Sequence, residues 1–496
     1  MGCPSGGRGR LRVRPPGARQ GGSTGATMGA TAVFRLWVWS DGADMGTPIG
    51  KPGMRCADTG RSPSGADGAG GWSDGGTCRR GLWRRWSGRA PAPGFLTGAA
   101  DDDPSNIATY SQVGAELSYS LVWTLWLFYP LVAAVQDACA RLARATGEGL
   151  AANLRRHYGM AVACTLVLLL LIANVINIAA DLLAIGGAAR LLFGGRRLIY
   201  AAFFAACVLL LEVFVPYRRY ARILEVLSLS LLAYVATAFA VDVDWHAVWR
   251  HLVPRWPEGA AAITALVAIA GTTISPYLFF WQAGQEAELA RDHAGAARRL
   301  RVMSERQRIY ADTYLGMAFS QVIGFFIMVT AAATLGAHGI HHVDTAHEAA
   351  RALEPLAGHL TFAVFALGLI GTGLLSIPAL AGASGYAVAE LCGWRSGLGV
   401  PAARAPGFYA VIILSVLGGL ALDVVSMDSM RALYLSAVLN GLVAVPILVF
   451  TARLAERPAV VGGFVSTPVE RTLVWVATAI MACAAALLIG ESLGAP

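Results

Sequence analysis

The sequence predicts an all-α polytopic membrane protein of about 11 spans. Three observations carry that expectation. Of 496 residues, 56% are hydrophobic and only 14% are charged, whereas soluble domains carry about 25% charged residues. The apolar residues form blocks long enough to cross a bilayer, which takes roughly 20 residues each. Arginines collect between the blocks, as in a chain threaded repeatedly through a membrane. Because the arginines cluster in loops, the net charge of +8 is not read as a nucleic-acid footprint, and no nucleic acid is expected as a partner.

The first 90 residues are rich in Gly, Arg, Ser and Pro and have no hydrophobic period, so residues 1–90 are expected to be a disordered extension. No signal peptide is visible there, and a natural start at Met28, Met45 or Met54 is an alternative. Its basic, aromatic stretch CRRGLWRRWSGR (78–89) suits a solvated tail or an anionic membrane surface. The transporter core is expected over 91–496. Spans fall near 93–115, 119–140, 162–189, 198–216, 223–241, 260–287, 311–336, 359–390, 406–423, 432–452 and 472–490. The even-to-odd loops carry 18 Lys and Arg against 7 in the other loops. That bias expects a multi-pass protein of the plasma (inner) membrane with a cytoplasmic N-terminus. The eight cysteines are scattered without a CxxC pair and are read as core or tail thiols.

Two spans differ from the rest. Span 1 is interrupted at DDDPSN (101–106) and span 6 at GTTISPY (271–277). Each break has a proline, which removes a backbone donor and clashes with the preceding turn. First and sixth are equivalent places in two five-span halves, 91–241 and 260–455, with 472–490 as an extra helix. Matched interruptions point to a secondary transporter with inverted repeats and a midplane site; ordinary proline kinks are the bland alternative. The aspartates weigh against kinks alone. An ionised Asp at a span centre costs roughly 2.5–3.5 kcal/mol, so such residues face a cavity and have a function. Carboxylate, amide oxygen and freed carbonyls together suit a hard cation.

The stretch DPSNIATYSQVGAELSYSLVW resembles the first span of the Nramp divalent-metal transporters, whose signature there is Asp-Pro-Gly-Asn. The likeness continues through AVQDACARLARATGEGLA (134–151), ADL (180–182), GTTISPY and the 365–390 region. The resemblance implies a LeuT-like fold, two inverted five-helix repeats plus one helix, with the divalent metal as cargo and no cofactor. It assigns Asp103 and Asn106 to metal coordination, the Thr272 carbonyl to the family's backbone ligand, and Ser275 to the place of its methionine. Ser105 replaces the motif glycine, and Tyr277 stands where the family has histidine. Losing the soft thioether removes a preference for transition metals. The pattern looks like the Nramp-related magnesium branch, so Mg²⁺ and Mn²⁺ are the expected ions. Span 3 keeps Asp181, but Asn174 and Ala184 stand near other family carboxylates, so weak or absent proton coupling is expected. Asp101 and Asp102 are extra carboxylates that would attract the ion or carry protons.

Smaller candidates remain. The loop HGIHHVDTAHE (338–348) could concentrate metal ions or be merely solvated. Gln282, Gln285 and Glu286 would line a vestibule or cap a helix. Asn440 would approach the site or bond between helices; Glu212 and Asp181 would be buried pairing residues rather than pathway residues. The rival functions are a conventional proton-coupled Mn²⁺/Fe²⁺ transporter and an amino-acid-type permease. The latter would hold its substrate without a carboxylate of its own in the break. No HExxH motif is present, and no enzyme activity is expected. Oligomeric state is left open.

Overall fold

The computed structural model describes residues 93–215, 231–255, 259–292, 298–343, 345–354, 361–422 and 428–494. All lie within one compact unit, Arg79–Pro496. The expected extension 1–90, its basic stretch 78–89 and the first half of span 5 lie outside the described residues. Among the described residues the regular elements are helices, with no strand.

The first span is two helices, α1 (Pro93–Asp101) and α2 (Pro104–Leu117). The local sequence dictates that split. Asp103 takes an extended backbone (φ −79°, ψ 171°), and its side chain accepts from the Asn106 amide, the bond of an N-cap. Pro104 follows at the first helical position, where its missing N–H costs nothing. The chain continues through α3 (Trp123–Thr146), α4 (Leu150–Tyr158), α5 (Met160–Phe193) and α6 (Arg197–Phe214). Next come α7 (Leu232–Ala240) and the short α8 (Trp245–Arg250). The sixth span also divides, into α9 (Ala260–Thr273) and α10 (Pro276–Asp292), again restarting on a proline.

The second half comprises α11 (Arg298–Thr334), α12 (Ala346–Arg351), α13 (Thr361–Cys392), α14 (Pro406–Leu422) and α15 (Ser429–Ala455). The short α16 (Pro458–Val461) precedes the last helix, α17 (Pro468–Gly494). Among the described residues seven stretches are long and apolar enough to cross a membrane, counting α9 and α10 as one. The two short halves of span 1 and the 17-residue α14 fall below that length. Helix α11 starts 13 residues before the expected span, because its polar first turns propagate as helix. At 37 residues it is roughly 55 Å long, well beyond a hydrocarbon core of about 30 Å.

Small residues bring the broken spans close to their supports. A Cβ on Gly98 would run into the Gly316 backbone, so α1 crosses α11 at backbone contact. A Cβ on Gly271 would meet the Ala437 carbonyl and the Gly441 amide, so the end of α9 is pressed onto α15. Such glycine crossings are how membrane helices gain dispersion energy without a hydrophobic driving force. Helix α5 completes the frame by packing against α13, α14 and α15.

Candidate functional site

The two breaks meet. Thr272, at the end of α9, donates its hydroxyl to Asn106 Oδ1, and its Oγ1 is 3.1 Å from Ser105 Oγ. Tyr277, in the first turn of α10, donates to the Ala100 carbonyl at 2.9 Å and lies 3.5 Å from Asp103 Oδ2. The freed carbonyls of span 1 are thereby satisfied: Asp101 O accepts from Asn106 Nδ2 at 2.5 Å and from the Asp103 amide at 2.8 Å. Asp103 divides its labour. One oxygen, Oδ1, caps α2 through the Asn106 amide (3.0 Å) and the Ser105 hydroxyl. The other, Oδ2, faces Tyr277.

Ser275 behaves differently from a side chain aimed at a ligand. Its hydroxyl turns back onto its own chain, donating to Gly271 O and Thr272 O at 2.8 Å each. Of the donors singled out in the sequence, Asn106 Oδ1 and the Thr272 carbonyl are thus engaged internally, each by a single hydroxyl. A hydroxyl can rotate away, and a carbonyl retains a second lone pair.

Four carboxylates are sealed in here. Asp101, Asp102, Asp103 and Asp181 are each at most 3% exposed. Asp101 Oδ2 accepts from Ser320 of α11 at 2.6 Å, and Asp181 Oδ2 from Ser376 of α13 at 2.7 Å. Asp181 is near enough to Asp103 for their charges to interact. Asp101 Oδ1, Asp102 Oδ2 and Asp181 Oδ1 have no hydrogen-bond partner. Among the described residues, no arginine or lysine pairs with any of the four. Nor does any group of three or more His, Cys, Asp or Glu converge as a metal cluster there. The donors that do converge are mixed: carboxylate, amide, hydroxyl and backbone carbonyl.

Several supports were not singled out in the sequence. Asp312 of α11 accepts from the Gly94 and Phe95 amides at 2.7 and 3.0 Å, capping the first half-helix from another span. Ser320 and Ser376 hold the carboxylates. Asn177 of α5 adjoins Asp103 while its Oδ1 accepts from Ser436 of α15 at 2.7 Å. Their only signal in the sequence is a polar residue within an apolar run, and the partners of each are about 70 or more residues away.

The smaller candidates sort out unevenly. Gln282 bonds Thr313 at 2.8 Å, and Glu286 forms a two-pronged pair with Arg308 at 2.8 Å, so both tie α10 to α11. Asn440 is buried with neither amide atom bonded, so the interhelical bond expected of it is not made. Glu212 is buried with both oxygens unbonded, contrary to the pairing expected. The loop histidines do not gather: His338 turns to Thr334 O, His341 to Ala115 O, and His347 stacks on Phe362.

Comparison with known proteins adds a family. Residues 94–491 match the family model described as Nramp, natural resistance-associated macrophage protein-like. The divalent metal cation transporter MntH of Granulibacter bethesdensis is 28% identical over 294 residues, 57% of this chain and 64% of that protein. MntH of Yersinia pestis (strain Pestoides F) is 31% identical over 297 residues, 57% of this chain and 68% of the relative. The matched part therefore spans about two thirds of the length of these relatives. The crystal structure of an Eremococcus coleocola manganese transporter with an aromatic bis-isothiourea substituted compound aligns at a TM-score of 0.67. That alignment covers 85% of this chain and 90% of the other, at 18% identity. At that identity the likeness concerns the fold, and it agrees with the expected LeuT-like architecture.

Proposed function

The chain belongs to the Nramp family, and on that premise we propose that it moves divalent metal cations, Mg²⁺ and Mn²⁺ foremost, across a membrane by alternating access. The observation that carries this reading is the set of four buried carboxylates with no basic partner among the described residues, beside amide, hydroxyl and carbonyl oxygens at two facing helix breaks. A buried charge without a counter-ion is strongly unfavourable, and a dication entering between the breaks supplies one. Asp103 through Oδ2, Asn106 through Oδ1, and the Thr272 carbonyl are the ligands. Ser275 supplies a hydroxyl once it releases Thr272 O. Asp101, Asp102 and Asp181 add negative potential, Tyr277 holds the two breaks together, and Asn440 stands by with an unbonded amide.

All these donors are oxygen, apart from the amide nitrogens. Such a set suits ions that prefer oxygen and retain part of their water, as Mg²⁺ does. A thioether would shift preference toward softer metals, and none is present at Ser275. Closure on every side fits the occluded stage of an alternating-access cycle. In this account, residues 91–241 and 260–455 are the two inverted repeats, 472–490 is the extra helix, and 1–90 is a dispensable extension. The N-terminus is cytoplasmic by the arginine bias. With Tyr277 in place of histidine, ion entry proceeds with little or no fixed proton movement. Uptake into proteoliposomes with a pH dye inside tests both points. Mg²⁺ and Mn²⁺ should enter without matching acidification at clamped potential. Strict one-to-one acidification would favour the conventional proton-coupled reading.

A further inference from the structure

Away from the breaks, a groove of about 590 Å³ runs between α3, the α7–α8 segment and α11. This lies within the roughly 300–1,000 Å³ of small-molecule sites. Its walls are almost wholly apolar, with Trp126, Phe239, Trp249, Phe325 and Phe326 among them. Trp126 is 55% exposed, Phe239 70% and Trp249 67%. The wall formed by α11 belongs to a stretch long and apolar enough to cross a membrane, Glu305–His338, and large apolar side chains exposed beside it face lipid, so what enters the groove comes from the membrane.

One amide side chain interrupts the wall. Gln321 of α11 lines the groove, is 5% exposed, and has neither Oε1 nor Nε2 bonded. A primary amide in an apolar setting strongly favours a partner. The two bare atoms ask for different things: Oε1 accepts, and Nε2 donates. The ester groups of a lipid bring acceptors only and leave Oε1 bare. A hydrocarbon tail brings neither. A neutral carboxyl group brings one O–H and one C=O, spaced to close a ring of two hydrogen bonds with a primary amide.

We infer that this groove binds a long-chain free fatty acid, its carboxyl group paired in two hydrogen bonds with the Gln321 amide and its chain lying along the aromatic wall. The acid sits there in its neutral form, because burial in low dielectric disfavours the carboxylate. The neighbouring residue, Ser320, is the one that holds Asp101 at the span 1 break. One turn of α11 therefore joins the groove to the carboxylate cluster, and an occupant would bear on the helix that supports both halves of span 1.

The test uses the full chain in nanodiscs of unbrominated phospholipid at mildly acid pH, and measures no transport. Tryptophan fluorescence is followed while 9,10-dibromostearic acid or its methyl ester is added, since bromine quenches the indoles it touches. The acid should quench at about tenfold lower concentration than the ester, the order of factor that two neutral hydrogen bonds supply. Gln321→Leu should erase that preference, and Gln321→Met serves if the leucine variant fails to fold. Ala318→Phe, which fills the groove, should reduce quenching by both compounds. Equal quenching by acid and ester in the wild type would overturn the inference and mark the groove as a seat for ordinary lipid tails. Persistence of the acid preference without the Gln321 amide would overturn it equally.

Discussion

Two of the regions that bury acids treat them in opposite ways. Where the end of α3 meets α11 and the start of α17, each buried acid has a base. Arg141 bonds Asp137 at 2.8 Å and lies 3.3 Å from Glu470, while Arg306 reaches Glu470 at 3.0 Å. Nearby, Arg308 pairs with Glu286 and Glu305, and Arg144 with Glu305. At the span 1 break, Asp101, Asp102, Asp103 and Asp181 are as deeply buried, but their partners are hydroxyls and amides. The first arrangement is self-contained: its charges cancel within the protein and clamp helices together. The second lacks positive charge. The comparison teaches that a missing base is as informative as a present acid, since acids buried without a base must either hold protons or be balanced by an incoming cation.

The largest expected effect comes from removing the unbalanced charge. Asp103→Ala should lower metal uptake at least about a hundredfold, given that even outer-shell partners of metal sites are worth roughly 10–100-fold. Folding should survive, because Ser105 and Asn106 retain other bonds to the break. Uptake per folded protein, with thermal stability measured alongside, checks it; near-normal uptake would erase the contrast between the regions. Next is the mirror experiment at the balanced region. Arg141 is 1% exposed, and Arg141→Ala strands Asp137. Breaking such a buried pair costs about 3–5 kcal/mol, so denaturation should come much earlier while uptake per surviving molecule changes little. A stable but inactive Arg141→Ala protein would give that cluster a part in transport.

A smaller effect sharpens the chemistry of the break. Ser275→Met removes the hydroxyl bonded to Thr272 O and adds a sulfur ligand. Calorimetry should then show tighter Cd²⁺ and Mn²⁺ binding and weaker Mg²⁺ uptake, a shift of about tenfold at most per added 1.4 kcal/mol. The smallest effect is expected of the extension: deleting residues 1–85 should leave uptake unchanged, since that Gly-, Arg-, Ser- and Pro-rich segment has no sustained hydrophobic period.

The unequal legibility of the two regions has a physical cause. The breaks were readable because backbone chemistry marks them locally: an Asp before a proline is an N-cap before a helix start, and both halves carry such a proline. That the two breaks face each other was readable from pairing equivalent spans; that Thr272 and Asn106 stand there was implied by the resemblance to the Nramp family. The ionic clusters were not readable, although Asp137 and Arg141 stand one turn apart, because Glu470 and Arg306 come from distant spans. Ser275 illustrates a finer limit. Its place in the motif was evident, but its rotamer, bonded back to Gly271 O and Thr272 O, depends on how α9 ends. Asn440 and Glu212 show that a polar residue in an apolar helix does not announce whether it will find a partner.

The central claim is that an oxygen-rich, negatively unbalanced site between the two breaks carries a hard dication. The most direct measurement is Mg²⁺, Mn²⁺ and Cd²⁺ uptake into proteoliposomes by the wild type and Asp103→Ala, with wild-type binding measured by calorimetry. The account predicts Mg²⁺ and Mn²⁺ entry that disappears in the variant, without a strong preference for Cd²⁺. Tight Cd²⁺ binding with exclusion of Mg²⁺ would contradict it and make this protein a soft-metal transporter despite the serine at position 275.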